Sequence, residues 1–251
     1  MVSIDIKDIL ARARRPKQNI STANRDLSAA LEVLNSKAVA QSRLTLQTLA
    51  SKKLQGLAYV PDFITTDEEQ ALLTCMRAAQ GRPWVEATGR RIQNWGGQPG
   101  RAETEELPAF LQTLVRRLVA AGVYAPQDAP NHCLINEYTN GSGIPAHDDG
   151  PLYVPPVATI SLGGSAVINF VRQTSPDSQP ELITKVLLQQ GCLLLVDGQA
   201  YTAAMHEIPS QDSDVIDEHC CNAGLAKVSI GDVIRRPQCR LSLVLVHKRT
   251  S

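Results

Sequence analysis

The stretch "HCLINEYTNGSGIPAHDDGPLYVPPVATISLG", His132–Gly163, decides the fold. It opens on the strand-like run "HCLINEY", breaks over "TNGSG" and resumes as "VATISL". Between them, "GIPAHDDGPLY" sets a histidine and two aspartates among glycines and prolines. Further short runs follow: "AVINF" (166–170), "LITKVLLQ" (182–189), "CLLLVDG" (192–198) and "CRLSLVLVH" (239–247). Many short strands punctuated by Gly, Pro and Asp predict a sandwich or barrel rather than a parallel Rossmann sheet. The polar stretch 210–238 reads as a long loop or insertion. No internal repeat and no glycine-rich phosphate loop is present.

Helices are expected upstream, which makes the class α+β. After a short strand ending at Pro61, Thr66 and Glu69 have the spacing of a capping box for a helix over about 67–80. "PAFLQTLVRRLVAAG" (108–122) puts Phe110, Leu111, Leu114, Val115, Leu118 and Val119 on one face of a second helix. Residues 1–50 differ in character. Eight Lys and Arg against Asp5, Asp8, Asp26 and Glu32 leave this part at 8 − 4 = +4, and Asp26–Ala50 is rich in Ala and Leu. The division expected is a basic, partly helical extension at 1–50 and a main domain at 51–251. "ARARRPK" reads as a solvated tail or as a weak nuclear-import or nucleic-acid patch.

Composition narrows the class. The 251 residues are 43% hydrophobic and 20% charged with zero net charge, as in a soluble globular protein that does not seek nucleic acid by bulk charge. No apolar run approaches the roughly 18 residues that span a bilayer. Six cysteines without regular spacing fit a reducing compartment, so nucleus and/or cytoplasm is the expected location and a monomer the expected state.

Residues two apart on a strand share a face, so His147 and Asp149 point one way and Asp148 the other. Alone the pair is no more than a polar turn. A third ligand, His206, lies 206 − 149 = 57 residues later, just beyond an apolar strand. Two histidines and a carboxylate make the facial triad of non-haem Fe(II) oxygenases. Zinc at His219–Cys220–Cys221 is the alternative, but it lacks a CxxC partner. In "RLSLVLV", Arg240 and Ser242 share a face opposite Leu241, Leu243 and Leu245. A guanidinium and a hydroxyl projecting into a pocket can hold a carboxylate, as 2-oxoglutarate needs; an edge ion pair is the competing reading. Asn136 and Tyr138 share a face of "NEY" and can donate to the same oxoacid.

These residues, with "NHCLINEYTNGSGIPAHDDGPLYVPPVATISLG", "AYTAAMHEI" and "RLSLVLV", resemble the AlkB family of Fe(II)- and 2-oxoglutarate-dependent dioxygenases over about 56–250. "YVPDFIT", "GRRIQNWGG" and "HDDGPLY" resemble the branch called AlkB homolog six. The resemblance implies a double-stranded β-helix (jelly-roll) core with flanking N-terminal helices. It implies Fe(II), 2-oxoglutarate and O2, with His147, Asp149 and His206 on iron and Asn136, Tyr138, Arg240 and Ser242 on 2-oxoglutarate. One position departs: many members carry a second arginine six residues after the first, and here that residue is Val246. His247 points to the opposite face unless a bulge intervenes.

The resemblance also implies oxidative N-demethylation of methylated RNA or DNA, with the segment before the barrel covering a flipped base. That segment, "RPWVEATGRRIQNWGGQPGR" (82–101), carries four arginines against Glu86, a local +3, and both tryptophans. Arg90, Arg91 and Trp95 are candidates to contact phosphate and base, or else to be packed and solvated; Trp84 is expected to pack. A protein or small-molecule substrate, or a low-turnover nucleic-acid binder suggested by Val246, are the alternatives.

Overall fold

Alternate residues of the long strands enter two different cores, one on each face of the larger sheet. The computed structural model describes residues 20–38, 46–49, 51, 53–79, 82–101, 104–173 and 178–249. The first part holds α1 (Ile20–Ala38), β1 (Gln47–Thr48), β2 (Leu57–Val60), α2 (Thr66–Ala78), β3 (Val85–Ala87), β4 (Arg90–Trp95) and α3 (Ala109–Ala120). Next come β5 (His132–Thr139), β6 (Ile144–His147), β7 (Tyr153–Leu162), β8 (Ala166–Arg172) and β9 (Glu181–Leu188). The last part holds β10 (Leu193–Val196), α4 (Gly198–Thr202), β11 (Met205–Ile208), β12 (Ser213–Val215), β13 (Val233–Arg235) and β14 (Cys239–Lys248).

The larger sheet runs β1-β2-β10-β7-β14-β5-β4-β3 and the smaller β6-β11-β8-β9. All of these neighbours pair antiparallel. Leu241, Leu243 and Leu245 of β14 join Leu193 and Leu195 of β10 in a core shared with Phe63, Leu72, Leu73, Leu111 and Leu114 from the helix side. Val246, Leu194, Val196 and Tyr138 belong to the second core, with Phe170, Ile183 and Val186 from the smaller sheet. Two antiparallel sheets with helices on the outer face of one make a jelly-roll of the α+β class. Burying each leucine contributes roughly 1.5–3 kcal/mol, so the strict period-2 pattern sets the register strongly.

Local details shift from expectation. Helix α2 is capped by Thr65, not Thr66: its hydroxyl accepts from the Glu68 N–H and the Glu68 carboxylate accepts from the Thr65 N–H. The expected partner, Glu69, instead turns inward to accept from the Gly163 N–H and Gln190. The stretch 210–238 is not a plain loop. It forms the β12–β13 hairpin, where Arg236 pairs with buried Asp214, and Asn222 bonds both the N–H and the carbonyl of Leu187. Helix α1 sinks Leu34 into the core with α2 and α3, and Leu49 is 5% exposed. Residues 1–19, with the basic "ARARRPK", lie outside the described residues.

His132, on the site-facing side of β5, is 0% exposed and stacks on Tyr153 with ring centroids 6.0 Å apart. Burial, then Lys248 and Arg82, push its pKa down to about 4. The unfolded chain, with a histidine pKa near 6.5, therefore takes up a proton between about pH 6.5 and 4 that the native state refuses. The folded state loses stability as pH falls through that window, by up to about 3 kcal/mol for this group. His206, also pushed down to about 4, adds a similar share in the metal-free protein. Urea midpoints at pH 7 and 5 should thus converge by about half in His132→Phe. An undiminished gap in that variant rules out His132 as a source of the acid sensitivity.

Candidate functional site

Three side chains from the rim of the smaller sheet meet at one end of the sandwich. His147 ends β6 and is the Cα partner of His206 on β11; their ring centroids lie 4.4 Å apart. Asp149 follows in the turn after β6, and its Oδ1 is 3.8 Å from His206 Nε2. One ligand atom from each of the three lies within 4.8 Å of the others, all half-buried. Asp148 between them is exposed.

Close packing and hydrogen bonds set this arrangement. A Cβ on Gly143 would sit 1.9 Å from the Ile208 carbonyl oxygen, so only glycine lets β6 approach β11 this closely. The Tyr201 hydroxyl donates to the Gly150 carbonyl at 2.7 Å and pins the turn that carries Asp149. His147 Nδ1 donates to the Pro145 carbonyl at 2.9 Å, which leaves the Nε2 lone pair for a metal. His206 packs against Phe170, and burial, outweighing Asp149 and helped by His147, depresses its pKa to about 4. It is therefore neutral at physiological pH, as a ligand must be. Two imidazoles and one carboxylate on one side of an open site suit Fe(II).

Asp217, Glu218 and His219 form a second carboxylate–imidazole group, but no cysteine joins it. All six cysteines are free; Cys220 is buried beside Asn222, and burial raises the Cys220 and Cys221 thiols away from the thiolate form zinc needs.

On the larger sheet, Arg240 pairs across the ladder with Tyr138, and Ser242 with Asn136; Arg240 and Tyr138 line a small cavity. All four are at most 8% exposed. Arg240 Nη2 donates to Ser161 Oγ at 2.7 Å, and its guanidinium lies 5.6 Å from the Tyr138 ring centroid. Its Nε and Nη1 are buried and bond nothing among the described residues. Burial lowers the Arg240 pKa, with Tyr138 and Cys192 acting against it. An unpaired buried cation costs several kcal/mol, so this guanidinium suits an incoming anion. Arg236, which also lines the cavity, is already neutralised by Asp214. A dicarboxylate such as 2-oxoglutarate therefore fits the groups present. Val246, by contrast, is 2% exposed in the apolar core between the sheets. A bulge does fall between Leu245 and His247 on the β7 side, yet His247 Nδ1 bonds the Ala129 carbonyl at 3.0 Å.

The β3–β4 hairpin departs most from expectation. Trp95 packs inward: it is 7% exposed and edge-on to Phe110 at 6.0 Å. It shares the helix-side face of β4 with Arg91, whose guanidinium pairs with buried Glu137 and lies 5.2 Å from the Trp84 ring centroid. Arg82 pairs with Glu105. Two of the four counted charges are thus neutralised by acids outside the segment. Arg90, on the other face, donates from Nε to Asn136 Oδ1 at 2.8 Å. Ser161 and Tyr201 had no role at sequence level; only strand pairing and a long-range hydrogen bond reveal one.

Jelly-roll, triad and buried arginine together are what an Fe(II) oxygenase site requires. A family model, the 2OG-Fe(II) oxygenase superfamily, matches residues 76–245. The probable RNA/DNA demethylase ALKBH6 of Danio rerio is 36% identical over 75% of this chain and 84% of its own. The Arabidopsis thaliana alkylated DNA repair protein ALKBH8 homolog is 27% identical over 70% of this chain and 57% of its own. The solved structure of OsALKBH1 shares the fold, with a TM-score of 0.51 at 18% identity over 76% of this chain and 97% of that one. The chain belongs to the AlkB family of the 2OG-Fe(II) oxygenase superfamily. Its activity is that of an Fe(II)- and 2-oxoglutarate-dependent dioxygenase, with O2 as the oxidant.

Proposed function

We propose that the enzyme removes N-methyl groups from a methylated RNA or DNA. His147, Asp149 and His206 would hold Fe(II), and Arg240 would hold the distal carboxylate of 2-oxoglutarate. The observation that carries the pocket is the buried Arg240 guanidinium with two unpaired nitrogens beside Tyr138. The nucleic-acid substrate rests on relatives whose names specify RNA or DNA demethylation.

Bound iron, with 2-oxoglutarate and O2, supplies the oxidation of a methyl C–H to C–OH, with succinate and CO2 as co-products; the hemiaminal then releases formaldehyde. Arg240 would anchor the distal carboxylate through charge-assisted bonds, and Ser161 holds the guanidinium in place. Ser242 and Asn136, paired across the ladder two residues from Arg240 and Tyr138, would supply further donors to the oxoacid. Phe170 and the apolar core around Val246 keep water from the inner wall. A groove of about 440 Å3 beside the metal end, lined by Asp148, Arg172 and Tyr201, gives a substrate an approach from solvent.

Formaldehyde and succinate should form in equal amounts on methylated oligonucleotides supplied with Fe(II), 2-oxoglutarate and air. Arg240→Gln should raise the KM for 2-oxoglutarate at least about 30-fold, since breaking a buried charge pair costs 2–5 kcal/mol. Succinate without formaldehyde from every methylated RNA and DNA tested would point to a protein or small-molecule substrate. That second reading is favoured by Trp95 and the Arg82 and Arg91 pairs, which leave the hairpin with less to offer a nucleic acid.

A further inference from the structure

We propose that Arg90 is a positioning residue of the co-substrate pocket, fixing the Asn136 side chain toward 2-oxoglutarate rather than contacting nucleic acid. This rests on the pocket reading above. Arg90 opens β4, two residues before Ile92, the Cα partner of Asn136 on β5. It therefore lies diagonally across the ladder from Asn136, within reach of a long side chain. Nε donates to Asn136 Oδ1 at 2.8 Å, and Nη1 donates to the Thr88 carbonyl at 3.1 Å, tying the guanidinium to its own hairpin turn. That turn is held against the metal strands: a Cβ on Gly89, at φ +73°, would lie 2.1 Å from the Gly143 carbonyl oxygen.

The chemistry of the two groups fixes which way the amide faces. A guanidinium has five donors and no acceptor, so the amide atom it meets must be the oxygen. With Oδ1 committed to Arg90, the Asn136 NH2 turns the other way. Asn136 is 4% exposed and pairs across the ladder with Ser242, two residues from Arg240. Its NH2 thus becomes a donor for an oxygen of the oxoacid. Were the amide reversed, its oxygen would repel that anion. Arg90 also adds charge. Burial raises the Tyr138 phenol, and both Arg240 and Arg90 pull it down, so both guanidiniums act on one ring. Val246 contributes no cation from β14, and Arg90 brings one from the neighbouring hairpin to act on the Tyr138 ring.

The test measures 2-oxoglutarate affinity by anaerobic calorimetry with Mn(II) replacing Fe(II), alongside single-stranded RNA binding over a salt series. Arg90→Gln is expected to weaken 2-oxoglutarate about tenfold, the scale of one charge-assisted bond, and to leave RNA affinity and its salt slope unchanged. Arg90→Lys, which keeps a donor and the charge, should recover part of the loss. Adding Arg90→Gln to Asn136→Ala should cost little more than Asn136→Ala alone, because the two act as one unit. Arg240→Gln is the control. If it weakens 2-oxoglutarate and Arg90→Gln does not, while RNA binding falls, Arg90 is a phosphate contact and the proposal is overturned. If Arg240→Gln also leaves 2-oxoglutarate binding intact, the pocket reading itself fails and takes this proposal with it.

Discussion

Asp149→Ala is expected to lower Fe(II) affinity by well over a hundredfold and to abolish succinate formation. Changes one shell out from a metal already cost 10–100-fold, and this one removes the single anionic ligand. His147 and His206 would remain as two imidazole donors whose rings sit 4.4 Å apart, with no ligand carboxylate to offset the metal's charge. The neighbouring Asp148→Ala is the discriminating control. Asp148 is exposed, and its removal should leave metal affinity within about threefold, the range for a solvated charge nearby. Metal titration monitored by absorbance, with Co(II) as probe, separates the two. Equal losses in both variants would mean that a diffuse acidic rim, not a triad, holds the ion.

The β14 strand shows why this part of the site is legible without coordinates. Its leucines fall on every second residue, so the face carrying Arg240 and Ser242 is determined once the apolar face is buried. His147 and His206 needed more. Nothing in the chain states that β6 pairs with β11; residues 59 positions apart, 206 − 147, are joined only by their ligand types, their order and the family resemblance. The β4 strand marks the limit. Alternation puts Arg91, Gln93 and Trp95 together, but does not say whether that face meets helices or substrate. The pairing of Arg91 with Glu137 decides it, and Trp95 goes inward. The cap of α2 slipped by one because "TTDEE" offers two Thr/Glu pairs at the same spacing. The β12–β13 hairpin stayed hidden because its strands are three residues long and are anchored by Asn222 and Arg236 rather than by an apolar pattern.

Arg117→Ala is expected to destabilise the fold by about 3–5 kcal/mol, the largest loss from any single ion pair here. Arg117 on α3 and Glu68 on α2 are both 0% exposed and pair at 2.5 Å, while Arg117 Nη1 donates to the Phe63 carbonyl at 3.1 Å. Glu68 uses its other oxygen to cap Thr65. One carboxylate therefore stitches the start of α2 to α3 and to the segment leading from β2. Burial alone would raise the Glu68 pKa, but the bonds from Arg117 and the Thr65 N–H outweigh it and hold it below its ordinary value. Its contribution is thus present above the unfolded carboxylate pKa and lost as pH falls through the folded one. In Arg117→Ala the sign reverses, because the abandoned carboxylate is buried without a cation and its pKa rises. The variant's deficit should be largest near pH 7 and shrink toward pH 4.5, where protonation relieves it. Adding Glu68→Gln should recover part of the loss at pH 7, since a neutral amide can keep the Thr65 contact at lower desolvation cost. Urea unfolding of the three variants at both pH values tests this directly. A deficit that stays constant with pH would assign the loss to packing around Phe63, which Arg117 also covers at 5.4 Å, and not to the unpaired charge.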